Sequence, residues 1–90
     1  MPVVHIKNIE FTPAVVHVRE HARVRWEWED AYLTHVVASR GEHRFHGSGP
    51  RRQGAHYSVV FRRRGTYRYV CTIHPNMSGR VVVHAARAKE

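Results

Sequence analysis

Gly65-Thr66-Tyr67-Arg68-Tyr69-Val70-Cys71-Thr72-Ile73-His74-Pro75-Asn76-Met77 is the stretch whose reading decides the fold. Its first half alternates. Tyr67, Tyr69 and Cys71 fall on one face and Arg68 on the other, the period-two pattern of a half-buried strand. By that parity Cys71 ends the strand with its sulfur turned inward. Pro75 cannot continue a ladder and turns the chain, so His74 and Met77 can fold back toward that sulfur. A second imidazole, His35, stands before the β-branched run Val36-Val37 and must come from a neighbouring strand end. Two His, one Cys and a distant Met are the donor set of a trigonal electron-transfer copper site. The soft thiolate favours copper, the imidazoles suit both oxidation states, and a weak axial thioether helps set the potential.

The same alternation runs outward from this stretch in both directions. Val4-His5-Ile6-Lys7 alternates first; Val16, Val18, Val24 and Trp26 interleave with His17, Arg19, Arg23 and Arg25. Tyr57, Val59 and Phe61 alternate with Ser58, Val60 and Arg62, and Val81-Val82-Val83-His84 closes the chain. Turn residues separate these runs: Thr12-Pro13, Glu20-His21-Ala22, Arg64-Gly65-Thr66, and a long irregular stretch from Ser39 to Ala55 with four glycines and Pro50. No segment of ten residues has helical periodicity. About seven to eight short strands with frequent turns predict an all-β sandwich or barrel. The expected organisation is one domain over residues 1–90, with its core at about 3–84 and a frayed tail from Ala85 to Glu90.

Ninety residues bury a modest core, and the single cysteine excludes an intramolecular disulfide, so any staple must come from metal. Fifteen Lys+Arg against seven Asp+Glu give a formal charge of +8, nearly all of it arginine. That balance implies an anionic partner without choosing among an acidic protein face, nucleic acid and anionic lipid. No run is long and apolar enough for a membrane span. Met1-Pro2-Val3-Val4-His5 lacks the charged and apolar regions of a secretory leader.

Several pieces, in order, resemble the cupredoxin (blue-copper) family in its small plastocyanin- and amicyanin-like type. They are Phe11-Thr12-Pro13, Val24-Arg25-Trp26, His35-Val36-Val37, the Gly65–Cys71 strand, and His74-Pro75-Asn76-Met77-Ser78-Gly79. The resemblance covers about residues 3 to 84, and the C-x2-H-x2-M spacing is the shortest ligand loop the family uses. It implies a Greek-key β-sandwich holding one copper, Cu(I) or Cu(II), per chain. His35 would be the upstream ligand, Cys71 the thiolate, His74 the second imidazole and Met77 the axial thioether. It also implies a one-electron carrier rather than an enzyme, monomeric, periplasmic or otherwise outside the cytoplasm, although a cytoplasmic setting stays open. The positive charge points to an acidic redox partner such as a cytochrome or an oxidoreductase. The chain departs from the family pattern in places. Val36 stands where an Asn or Thr often ties the two ligand loops together, Trp28 where a polar Asn is common, and His21 at a turn position usually given to Gly. Phe45-His46-Gly47-Ser48-Gly49 resembles a family F-D-S-G segment with His46 in place of the acid.

Two other readings compete. A copper-binding or chaperone module would use the same ligands to exchange metal rather than electrons. A basic nucleic-acid-binding barrel would explain Arg62-Arg63-Arg64 but not the ligand spacing; Tyr67, Tyr69 and Trp26 face inward by parity, away from any base, and Trp28 is ambiguous. A binuclear copper domain needs two cysteines. No paired carboxylates flank the cluster for hydrolysis. His43 and His46 are close enough in the chain to pinch a second metal, but they and His56 read more simply as solvated side chains.

Overall fold

A computed structural model describes residues 1–86. Eight strands form two four-stranded sheets: β1 (Val3–Lys7), β2 (Glu10–Thr12), β3 (Val15–Arg19), β4 (Ala22–Trp28), β5 (Ala38–Arg40), β6 (His56–Phe61), β7 (Gly65–Val70) and β8 (Ser78–His84). One sheet has the order β2-β1-β4-β6, the other β3-β8-β7-β5. β1 runs parallel to β4 and β3 parallel to β8; the remaining neighbours are antiparallel. The chain crosses from one sheet to the other after β2, β3, β4, β5 and β6, so hairpins join only β1 to β2 and β7 to β8.

The parity read from sequence decides which side chains meet between the sheets. Val4, Ile6, Val24, Trp26, Trp28 and Phe61 from one sheet and Val16, Val18, Tyr67, Tyr69, Val81 and Val83 from the other form one buried cluster. Trp26 meets Tyr69 edge-on at 5.4 Å, and Phe61 meets Tyr67 at 4.9 Å, geometries that aromatic quadrupoles favour. Phe45, from the irregular stretch, stacks flat over Trp26 at 5.9 Å and covers the core. Trp28, ambiguous by sequence, is buried.

Two strands lie where the sequence shows only turns. β2 occupies the residues just before Pro13, and β5 takes the first residues of the stretch read as irregular from Ser39 to Ala55. Each has three residues, too few for an alternation to be visible. The β6–β7 connection carries Arg62, Arg63 and Arg64, all exposed, as solvated turn residues would be. The Tyr67 hydroxyl donates to the Arg63 carbonyl at 2.7 Å and pins that crossover. His21, at the turn position where a glycine is expected, takes left-handed backbone, φ 75°, and donates its N–H to Phe61 O. The tail expected to fray follows β8, and its residues 87–90 lie outside the described residues.

Candidate metal centre

The site is built at one end of the sandwich, where β7 runs out. Cys71 is the residue after β7, and the segment to Met77 closes on itself through three backbone bonds. Cys71 N–H donates to Met77 O at 3.0 Å, His74 N–H to Cys71 O at 3.3 Å, and Met77 N–H to His74 O at 2.9 Å. This is the fold-back that Pro75 predicts. His74 is half-buried, Ile73 and Pro75 are exposed, and Met77 is buried with Cys71 in the core cluster.

His35 is held by every polar atom but one. Its N–H and C=O exchange bonds with Arg51 at 3.0 Å each, an isolated bridge rather than a strand end. Its carbonyl also accepts the buried Trp28 indole N–H at 3.0 Å. Its Nε2 lies 2.7 Å from Asp30 Oδ2. Nδ1 is left, and it faces the Cys71 sulfur at 3.8 Å. From the other side His74 Nδ1 stands 3.6 Å from the same sulfur. The two rings are 4.8 Å apart.

Asp30 links this ring to a turn elsewhere in the chain. The β1–β2 hairpin has a two-residue connection, Asn8-Ile9, with φ 54° and 56°. Positive φ at both positions matches a type I′ turn, which normally selects Asn-Gly; a β-branched Ile there is strained. The Asp30 carboxylate accepts the N–H of Asn8 and, at 2.9 Å, that of Ile9. Burial alone would raise its pKa, but the bonds from Ile9, His35 and Asn8 outweigh burial and hold the carboxyl below the usual range. Asp30 therefore stabilises the fold fully above its unfolded pKa, about 4, and that contribution is lost as pH falls through the lower folded value. Asp30→Ala should destabilise the protein by about 1–3 kcal/mol through its unpaired donors. It should also weaken metal binding roughly tenfold to a hundredfold by freeing the ring of His35. Urea melting of the metal-free variant and a competing chelator titration read the two effects. Unchanged metal affinity would show that Asp30 serves only the turn.

The side chain of Val36 cannot tie the two ligand loops by a hydrogen bond, and the contact between them here is made by backbone. Val36 N–H points at Cys71 Sγ at 3.4 Å. Val37 N–H donates to Ser48 Oγ at 3.0 Å, and Ser48 N–H returns to Val37 O at 2.9 Å. Gly47 permits that approach, since a Cβ there would collide with the Val37 carbonyl. Arg51 lies over the rings of Trp28 (5.9 Å) and Tyr57 (5.1 Å), which fixes the segment that bridges to His35. Asp30, Trp28, Ser48 and Arg51 were not singled out as site residues by sequence, although the resemblance of Phe45–Gly49 to a family segment pointed toward Ser48.

Histidines outside the site do other things. His43 packs against Gly65 and lies 5.6 Å from the Tyr67 ring, and the His46 carbonyl accepts the Tyr57 hydroxyl. Among the described residues the other grouping with metal-binding side chains is His5, Glu27 and Glu29 on the outside of β1 and β4. There His5 bonds Glu29 and Arg25 bonds Glu27 at 2.8 Å, so the donors satisfy one another.

A first-row metal with a thiolate bond of about 2.3 Å and imidazole bonds of about 2.0 Å, at trigonal angles, sets sulfur and nitrogen about 3.7 Å apart. The observed 3.6 and 3.8 Å fit such an ion, and one soft sulfur with two imidazoles suits copper. The family model for copper binding proteins of the plastocyanin/azurin family matches residues 2–84. The chain belongs to that family, and copper is its cofactor. It is 37% identical over 84 residues to amicyanin of Paracoccus denitrificans, a match covering 90% of this chain and 63% of that protein. A solved structure of a reduced Cu(I) form of an amicyanin mutant superimposes with a TM-score of 0.81 at 32% identity, covering 92% of this chain and 81% of that one. A purple cupredoxin from Nitrosopumilus maritimus shares the fold, with a TM-score of 0.84 at 23% identity over 92% of this chain and 99% of that one.

Proposed function

We propose that this chain is a type 1 copper electron carrier, one cupredoxin-like domain with its core at about 3–84. His35, Cys71, His74 and Met77 would hold the metal. Copper bound there would supply a one-electron Cu(I)/Cu(II) couple. The observation that carries the reading is the convergence of two Nδ1 atoms on a sulfur that is itself fully buried. His35 and Cys71 are 0% exposed and Met77 is 2% exposed, so the donor set reaches the surface at the edge of the half-buried His74 alone. That enclosure favours a carrier over an enzyme. The clamps on His35 favour it over a chaperone, which must let its metal go.

His74 is the half-buried member of the set, and Ile73, 48% exposed, and Pro75 flank it. Its outer edge would be the electron port, and this apolar rim would exclude water from a docked partner. The partner would be an acidic redox protein such as a cytochrome or oxidoreductase. The setting proposed for the monomer is periplasmic. No helix among the described residues is long and apolar enough to cross a membrane.

Voltammetry of the copper-loaded protein should give a reversible one-electron wave. Met77→Gln should keep copper and lower the midpoint, because a harder oxygen favours Cu(II). An unchanged or raised midpoint would remove Met77 from the axial role. Rapid copper loss to a chelator without a reversible wave would make the chain a metal-transfer module.

A further inference from the structure

The outer face of the sheet β3-β8-β7-β5 carries a feature the metal centre does not use. The register sets Arg40 opposite Arg68 and Arg68 opposite Arg80 on three adjacent strands. All three side chains are exposed. Neighbouring strands lie about 4.8 Å apart, so the row spans about 10 Å. Like charges directly opposite one another are destabilising, and among the described residues no ion pair offsets them, although Glu42 shares a shallow pocket with Arg68. None of the four strands contains Asp or Glu. The ion pairs among the described residues are His5–Glu29, Arg25–Glu27 and His35–Asp30, all away from the row. Among the described residues Arg40 bonds only the neighbouring Ser39 carbonyl, and the stem of Arg68 runs past Gly41, where no side chain obstructs it. His17, Arg19 and His84 extend the basic character along the same face. The other sheet is mixed: Lys7, Arg23 and Arg25 are interspersed with Glu10 and Glu27. The three arginines line a shallow groove of about 570 Å³ together with Val15 and Val70.

We propose that this arginine row is the docking site for a carboxylate-rich face of a partner protein. Planar guanidinium groups bind carboxylates through paired hydrogen bonds, and their self-repulsion is relieved when an anionic partner arrives. The half-buried Val15 and Val70 give an aliphatic floor suited to a protein surface. Tyr67 and Tyr69 are buried beneath this sheet, and the rings its outer face presents, His17 and His84, are stacked on each other rather than open to bases, so the face offers single-stranded nucleic acid no tyrosine, tryptophan or phenylalanine platform. That the partner is a redox protein rests on the electron-carrier reading; the docking itself does not.

The test is an amide-shift NMR titration of the Cu(I)-loaded protein with a glutamate-rich decapeptide at low salt, with a thymidine decanucleotide in parallel. The peptide should shift the amides of Arg40, Arg68 and Arg80. Arg68→Gln should weaken peptide binding at least about fivefold more than Arg23→Gln, which removes the same charge from the opposite sheet. A smaller gap would mean that net charge alone attracts the peptide and would overturn the site. Shifts centred on Arg62-Arg63-Arg64 would overturn it too. Tighter binding of the decanucleotide at the row would make nucleic acid the occupant. Free Arg68→Gln should melt no lower than the parent at low ionic strength; a lower midpoint would show that the row is not a site of uncompensated repulsion. The visible spectrum of the oxidised sample reports on the copper separately, so a failed docking site and a failed carrier reading give different results.

Discussion

Cys71→Ala should abolish the intense visible absorption of the oxidised, copper-loaded protein. Cys71 is the chain's one thiol, and the intense band of a trigonal site comes from charge transfer between thiolate and Cu(II). With alanine in place, His35 and His74 still face each other across 4.8 Å, so Cu(II) would bind weakly through nitrogen and give a pale spectrum. The fold should survive. A buried cysteine behaves as a small hydrophobe, and its loss is comparable to deleting one buried methyl, about 1 kcal/mol. Absorption spectroscopy with a metal assay on the same sample decides the matter. A variant that stayed intensely blue would sink the assignment.

Copper should raise the melting midpoint by roughly 15–30 °C. No disulfide tethers the chain, and the candidate ligands come from the β4–β5 connection, which crosses between the sheets, and the β7–β8 connection, which stays within one. A ligand that binds only the native state stabilises it by mass action, about 4 kcal/mol when free metal is a thousand times its Kd. Each kcal/mol shifts the midpoint of a domain this size by about 4–8 °C. Calorimetry of the metal-free and copper-loaded forms is the measurement. Coincident midpoints would mean that the site and the fold are energetically separate.

The parts of this molecule that were legible in the sequence share a physical cause: they repeat. Val16, Val18, Val24 and Trp26 recur at period two because a sheet has two faces, and Tyr67-Arg68-Tyr69 gives the orientation of Cys71 for the same reason. The spacing of Cys71, His74 and Met77 was legible because one short loop supplies all three. What stayed hidden depends on contacts that no local pattern encodes. Asp30 reads as one acid among several until the turn at Asn8-Ile9 is brought against it. Trp28 shares the parity of Trp26, yet only the folded path of the His35 segment shows what its indole N–H serves. β2 and β5 are too short to repeat anything, and Ser48 lies in a Gly-rich stretch whose course is decided by Val37. His21 was legible as an exception, since a left-handed turn residue without glycine invites the question of what holds it.

One arrangement bears on how this centre can vary by descent. The donor aimed at the Cys71 sulfur is the peptide N–H of Val36, and the bridge that carries His35 is peptide-to-peptide with Arg51. Point mutation rewrites side chains and leaves peptide groups in place, proline excepted. In a relative that uses an Asn or Thr after the upstream histidine, one codon change can delete a contact between the loops. Here, any replacement of Val36 that keeps the backbone path keeps the N–H with it. Position 36 is thereby released to drift among residues that fill the same space, and inherited variation in the behaviour of the copper is channelled to other positions. A change at Asp30, by contrast, reaches the ring of His35 and the Asn8-Ile9 turn at once.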